Sequence, residues 1–404
     1  MTRLNILLVT TIFTCIIASC STSEKKISNS TDIILYEESN NSNFIDAIQD
    51  VNVLPLQIGD DYIYLGQSKF YIGGKYIYSL DGNFMQLMCF DKATGEKQFS
   101  MPIRGRGPNE CIEVTCMSGN NDTLYLCDIP NGHIKTYNHQ GKYLGNLNDN
   151  KIHLRTLYPT SDGKYLSFDM LGSMLEGNTC INIFDKNFNI ISTEYSVPKE
   201  YSNVVRFSVG GATEMWYMSN DTLYFMYPFS HKLISYPGYH FYNFISSKPL
   251  SDEQKDEFKD NLGAYVSASM TEGYESEFSE LLGYKDIITF KYSVNNVDYR
   301  VIVRKNTLEI LSILEPRSSF PDDNVTTEDL WRCIMHESKI VGTDGKTVYA
   351  VTPIVIWTIL NKYKNILDTK LTKIHHEMQQ IYTADIGDVF NEEYCFVISI
   401  DFAE

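Results

Sequence analysis

Asn121-Asp122-Thr123-Leu124-Tyr125 returns further along the chain as Asn220-Asp221-Thr222-Leu223-Tyr224. Each copy opens a strand-like run, and roughly ten residues later a second run ends in tyrosine, at Tyr137 and Tyr236. The recurrence implies a repeated structural unit. The aromatic residues of the second strands, Phe90, Tyr137, Phe184 and Tyr236, lie at intervals of 47, 47 and 52 residues. A four-stranded propeller blade takes about 40–50 residues, so these are blade-sized intervals.

The runs at 75–80, 123–127, 165–168 and 347–351 are rich in Tyr, Val, Ile and Leu and are bounded by Gly, Asn or Asp. They alternate little, as strands covered on both faces do, and propeller blades are covered by their neighbours. Residues 91–95, 138–141, 185–189 and 344–345 supply turn chemistry between them. Residues 287–314 make a fifth unit, with strands at 299–304 and 307–314, and residues 331–360 make a sixth. An open row of sheets would leave unpaired edges, so a closed ring is expected. Val51 to Ile58 would be its first strand and the apolar run Tyr394 to Asp401 its last, the two meeting in one blade. The expected class is all-β: a six-bladed β-propeller with short helical insertions.

Three stretches read as helices. Ser251 and Gln254 have capping-box spacing, and Phe258, Leu262 and Tyr265 follow at helical intervals, which predicts a helix from 251 to about 266. Phe278, Leu281 and Leu282 suggest a second, short one. Thr326 with Asp329 caps a third through Leu330 to Met335.

At the N-terminus, Arg3 precedes the mainly apolar stretch Leu4 to Ile17, and the small residues Ala18 and Ser19 precede Cys20. That is the layout of a signal peptide. The stretch is interrupted by Asn5 and threonines and is too short for a span, which needs about 20 apolar residues. Ser21 to Thr31 then read as a polar tether. The expected organisation is a leader over 1–19, the modified Cys20 with its tether and lead-in over 20–50, and the propeller over 51–404, with helical insertions at about 250–283 and 322–336.

A formal charge of −17 and a pI near 4.9 would repel phosphate backbones, so nucleic acid is not an expected partner. Of nine cysteines, those beyond Cys20 are Cys89, Cys111, Cys116, Cys127, Cys180, Cys333 and Cys395. Without C-x-x-C pairs or nearby histidines they indicate neither a zinc site nor a complete disulfide framework. Several sit in apolar strands and read as small buried hydrophobes. Cys111 and Cys116 could form one bridge, which spacing alone does not establish.

Two motifs carry a family resemblance. Ile17-Ala18-Ser19-Cys20 resembles the bacterial lipobox, which implies that Cys20 is acylated and anchors the mature chain. Val53-Leu54-Pro55-Leu56, Phe90-Asp91 and the loop Arg104-Gly105-Arg106-Gly107-Pro108-Asn109-Glu110 resemble the six-bladed β-propeller lipoproteins common in Bacteroidetes, related in fold to NHL and TolB-type propellers. The resemblance is clearest over 51–145 and thin over 250–330. The family loop reads Gly-x-Gly-Pro-Gly-Glu followed by an aromatic; here Asn109 replaces the third glycine and Cys111 the aromatic. Asn tolerates left-handed conformations, so the first change is mild. The resemblance implies a fold and an envelope location, not a reaction.

The 104–110 loop is the best candidate for contacting a partner, because its guanidiniums and exposed amides could hold an anion. A Gly-Pro connector also has purely structural reasons to exist, and those weigh more. Asp81, Asp128 and Asp169 end comparable strands and could converge on calcium, with Asn83 or Asn131 adding oxygens. Each could equally bond the turn that follows it, and repetition favours that reading. His375-His376-Glu377 is not a chelating H-E-x-x-H pair and reads as solvated surface. Trp216, Trp331 and Trp357 could stack on sugars, although blade packing accounts for most aromatics first. No nucleophile elbow, Walker loop or dinucleotide fingerprint is present.

These readings favour a non-catalytic binding or scaffolding module, held to a membrane by lipid, that recognises an envelope protein, peptide or glycan. The alternatives are a hydrolase or lactonase-like enzyme using a divalent cation, and a structural subunit of an outer-membrane complex. Location in the cell envelope, at the outer membrane, is expected for all three.

Overall fold

The described strands of the computed structural model form six sheets, each built on four antiparallel strands side by side, in chain order in all but the last. The structure describes residues 30–35, 42–61, 63, 65, 68–120, 122–148, 151–169, 179–197, 215–219, 221–226, 231–258, 264, 268, 271–274, 279–283, 287–295, 297–304, 309–314, 325–344, 347–353, 355–381 and 394–402. Blade 1 spans Lys69–Pro102, blade 2 Val114–Asn146, blade 3 Tyr158–Ser196, blade 4 Trp216–Ile245 and blade 5 Ser279–Leu314. Blade 6 takes three strands from Lys339–Asp344, Thr347–Thr352 and Tyr394–Phe402, and its outermost from Ile48–Gln57. Apolar faces of neighbouring blades meet in separate clusters: Leu80, Leu87 and Met117 lie between blades 1 and 2, and Phe168 and Phe225 between blades 3 and 4. All five residues of Leu124–Asp128 are buried, which is why that strand shows no alternation.

The ring closes as expected. Ile48 to Gln57 runs antiparallel to Tyr394–Phe402 from the pair Ile48↔Phe402 to the pair Gln57↔Tyr394. Without that pairing both strands would be exposed edges. A fifth strand, Ser30–Ile34, adds parallel to the outer strand of blade 4, His240–Ile245. The expected tether therefore enters the fold by Ser30, because Ile33 and Leu35 bury themselves beside Phe244. Cys20 and the leader lie outside the described residues, as do Asn121, Asn220, Gly345 and Phe278.

The described helices are α1 (Ser42–Ala47), α2 (Asp252–Phe258), α3 (Thr327–Glu337), α4 (Val355–Lys362) and α5 (Thr369–Ile381). Two begin with the predicted reciprocal caps. Gln254 N donates to Ser251 Oγ at 3.2 Å while Ser251 N donates to Gln254 Oε1 at 2.9 Å. Asp329 N donates to Thr326 Oγ1 at 3.2 Å while Thr326 N donates to Asp329 Oδ2 at 3.0 Å. The short helix expected around Leu281 is instead the inner strand of blade 5, Ser279–Gly283. Leu281 packs with Phe290 and Tyr292, whereas Leu282 packs with Leu330 and Trp331. Adjacent side chains on opposite faces are the signature of a strand.

Helices α4 and α5 were not expected; α3, which holds Trp331, was, and the strands of the sixth unit begin after it at Lys339. Leu371, Ile374 and Met378 of α5 join Ile356 and Leu360 of α4 in one core with Val51 and Ile398 of blade 6. Helix α5 also covers the open edge of the closing strand. Val53 N donates to Glu377 Oε2 at 2.9 Å, and Lys373 Nζ donates to Asp50 Oδ1 at 3.0 Å and to Asn52 Oδ1 at 2.9 Å. Covering an edge with a helix blocks pairing with another chain.

Candidate functional site: the axial channel

The first strand of each blade lies innermost, and the inner strands together surround an open channel of about 640 Å³. Blade 1 contributes Phe70 and Tyr71, blade 2 Thr115 to Asn120, blade 3 Tyr158 and blade 4 Trp216 to Met218. Leu282 and Val341 complete the circuit from blades 5 and 6. The wall thus sets aromatic faces beside hydroxyl and amide groups. Gly119 has no side chain because a Cβ there would come within 2.7 Å of the Tyr71 ring. Burial, with Tyr217 adding to it, pushes the Tyr71 phenol up to about 12, so it stays a neutral hydroxyl at physiological pH.

The described Asp and Thr of the two repeated motifs, Asp122-Thr123 and Asp221-Thr222, lie at turns by one mouth of this channel. In blade 2, Asn120 Oδ1 accepts from Asp122 N at 3.0 Å and from Thr123 N at 2.9 Å, closing the turn between the first two strands. In blade 4, Asp221 takes a positive φ of 59° and its carboxylate reaches the blade 3 turn, accepting from Ser161 N at 2.9 Å and from the Ser161 hydroxyl. The first copy is thus held in its turn by the preceding Asn120, and the second links blade 4 to blade 3 through Asp221.

A side cleft of about 250 Å³ opens from the same region and shares Tyr71, Gly74 and Asn120 with the channel. Its wall holds Tyr76 and His139 with ring centroids 4.9 Å apart, and Tyr71 stacks on Tyr78 at 6.0 Å. The Tyr78 hydroxyl is hydrogen-bonded to His139 Nδ1. Burial first, then the neighbouring Cys89, holds the Tyr78 phenol above its ordinary value.

The 104–110 loop is tied to itself and to its neighbours. Gly107 N donates to Glu110 Oε2 at 2.7 Å, Glu110 N donates to Gly107 O at 3.1 Å and Gly105 N donates to Cys111 O at 3.0 Å. Lys135 Nζ reaches Pro108 O and the Tyr137 hydroxyl reaches Asn109 O, both at 2.7 Å. The glycine that the backbone requires is Gly105, with φ +152° and no room for a Cβ beside the Glu110 carboxylate; Gly107 has no positive φ. Arg104 is exposed and donates to Asn83 O at 2.8 Å, and Arg106 is exposed without a hydrogen bond to any described residue.

A profile of the family DUF5128, described as a 6-bladed beta-propeller, matches residues 22–311. The chain belongs to this family. Among solved structures, this DUF5128 chain is similar to a Bacteroides fragilis protein inferred to be exported, at 15% identity and a TM-score of 0.65, over 93% of this chain and 100% of that one. It also matches a DUF4221 member from Bacteroides vulgatus, at 9% identity and a TM-score of 0.48, over 88% of this chain and 97% of that one. The virginiamycin B lyase of Staphylococcus aureus matches at 9% identity and a TM-score of 0.37, over 74% of this chain and 82% of that one. The first likeness shows the fold alone, and the other two carry no argument. No curated protein matches the sequence.

The remaining candidates of this DUF5128 propeller do not converge on the channel. Asp81 Oδ1 accepts from Asn83 N at 2.9 Å and Phe84 N at 2.7 Å. Asp128 Oδ1 accepts from Ile112 N at 3.3 Å, and its Oδ2 from Asn131 Nδ2 at 2.6 Å. Asp169 pairs with Arg155 at 3.5 Å. Each carboxylate is engaged beside its own strand end, and no cluster of three metal-ligating side chains occurs among the described residues. Of the adjacent histidines, His376 is exposed, but His375 is buried against Asn361, contrary to a wholly solvated reading. Trp331 and Trp357 are core residues, and Trp331 Nε1 donates to Asp368 Oδ2 at 2.8 Å. Trp216 alone of the three lines the channel. No described helix is long and apolar enough to cross a membrane.

Sequence reasoning missed the channel residues Tyr71, Tyr158 and Tyr217. Their place in the first strand of a unit marks the strand, but not which of its aromatics faces the axis.

Proposed function

We propose that this propeller is an exported binding module, tethered to the cell envelope by lipid on Cys20, whose axial channel takes a glycan or peptide segment of an envelope partner. The observation that carries the reading is the open axial channel, walled by aromatic faces beside hydroxyl and amide groups. Such a wall suits a ligand with both apolar faces and hydrogen-bonding groups, since rings cover the former and fixed polar groups orient the latter. The signal-peptide layout and the lipobox-like Ile17 to Cys20 support export and anchoring.

Two measurements test the two halves. Titrating soluble protein lacking residues 1–20 with envelope glycans and peptides should find a ligand whose affinity falls about tenfold, worth roughly 1.4 kcal/mol, in Tyr71→Phe/Tyr217→Phe with the melting temperature little changed. An unchanged affinity in that variant moves the site off the channel. Separately, Cys20→Ser should shift the folded protein from the membrane fraction to the soluble one, and continued sedimentation with washed membranes would refute the lipid tether.

A further inference from the structure

Three cysteines of blade 2 stand close together in sequence, and the fold sorts them. Cys111 packs between blades 1 and 2 with Tyr78 and Tyr137, whereas Cys116 and Cys127 share the cluster between blades 2 and 3 with Leu157 and Phe184. The spacing-based pairing of Cys111 with Cys116 would have to cross the sheet. Cys116 and Cys127, by contrast, face each other directly across the antiparallel ladder. Directly opposed residues have Cα atoms about 4.5–5.5 Å apart, inside the roughly 4.4–6.8 Å window of disulfides. Their side chains project from the same face, as joint membership of one cluster requires.

We propose that Cys116 and Cys127 are a disulfide-forming pair that staples the inner strand of blade 2 to the strand behind it, at the wall of the axial channel. The two side chains already pack in one cluster from opposed ladder positions. The Cys127 thiol is held above its ordinary value first by its hydrogen bond with Cys116 and then by burial. Cys116 belongs to the inner strand at the channel, its Sγ donating to Leu157 O at 3.9 Å, and at 8% exposure against 1% for Cys127 it is the more accessible of the two. All seven described cysteines are thiols; Cys89 and Cys111 share the cluster between blades 1 and 2, and burial pushes Cys89 and Cys395 each up to about 12.

The step balances with a disulfide oxidant, either a small-molecule disulfide or a thiol–disulfide oxidoreductase of the export compartment. The Cys116 thiolate attacks one oxidant sulfur and releases the other as a thiol, giving a mixed disulfide. The Cys127 thiolate then attacks Cys116 Sγ and releases the second thiol. Two cysteine thiols are oxidised, the oxidant disulfide is reduced, and both protons end on the released thiols. Because Cys127 is buried and a poor thiolate, exchange is fastest while blade 2 is formed and blade 3 not yet packed on it. The proposal does not depend on the channel ligand.

The test uses the unaltered mature chain, both isolated from envelopes and refolded from urea in a glutathione redox buffer, alkylated under denaturing conditions without reductant. Cleavage at Glu113 and Asp122 separates the three cysteines. The expected result is a linked pair of segments carrying Cys116 and Cys127, lighter by two hydrogens than the reduced pair, with Cys89 and Cys111 alkylated. The oxidised protein should also melt a few degrees above the reduced one, on the order expected for a short closed loop. Full alkylation of Cys116 and Cys127 in both preparations, or a link from either to another cysteine, overturns the proposal. Neither outcome bears on ligand affinity, so failure here leaves the channel reading standing.

Discussion

Deleting residues 394–404 should unfold the whole propeller rather than fray one end. The strand Tyr394–Phe402 pairs with Ile48–Gln57 on one side and Thr347–Thr352 on the other, so its loss unpairs two strands drawn from opposite ends of the chain. It also removes the buried side chains of Phe396, Val397, Ile398, Ile400 and Phe402. At about 1.5–3 kcal/mol for each buried side chain, the loss is on the order of 10 kcal/mol, and this is an upper estimate because unfolded chains already bury some surface. A typical domain is stable by about 5–15 kcal/mol in total, so the truncation removes most or all of it. Ile398→Ala provides a graded control, expected to cost about 2–5 kcal/mol while leaving one cooperative transition. Urea unfolding followed by tryptophan fluorescence and circular dichroism reads both, with Trp331 and Trp357 reporting on the core beside blade 6. A truncated protein that unfolds cooperatively at the parent midpoint would refute ring closure. Loss of blade 6 signals alone would show that blades behave as independent repeats.

Gly105→Ala should destabilise by more than about 1 kcal/mol in denaturant titration, because the residue holds a positive φ and its Cβ would strike Glu110, while Arg106→Ala stays within about 0.5 kcal/mol. Burial lowers the His375 pKa below its ordinary 6.5, with Lys364 and His376 adding to the effect. The unfolded chain therefore takes up that proton first as pH falls, and stability declines below about pH 6.5 until the lowered folded-state value is passed. His375→Gln should flatten that part of the stability profile, and an unchanged slope between about pH 7 and 5 would assign it to other groups.

The fold was legible because blade architecture repeats and its repeats leave marks. The paired Asn-Asp-Thr-Leu-Tyr strings, the spaced aromatics and the apolar final run each record a position in a blade. What could not be read depends on neighbours. The residues Val355 to Leu360 look like a β-branched strand, yet Ile356 and Leu360 face one core at helical spacing once blade 6 offers a surface. In α5, the spacing of Leu371, Ile374 and Met378 was a readable helical signal that was passed over. The strand at Ser30–Ile34 is short and polar at its start, and only the exposed edge of blade 4 makes it a strand. In the candidate site, Tyr71, Trp216 and Tyr217 are indistinguishable in sequence from inter-blade aromatics, because facing the axis is a property of the closed ring. Cys116 and Cys127 were visible only as two members of an odd set until the register set them opposite each other.

The proposed meeting place for partners is the channel and not the outer edges of the blades. A photo-crosslinking amino acid placed at Met218, on the channel wall, can be compared in intact cells with the same group at Leu144, 52% exposed on the outer strand of blade 2. A discrete crosslinked species that free ligand suppresses is expected from position 218, and none from position 144. A partner captured from 144 and not from 218 would contradict this placement.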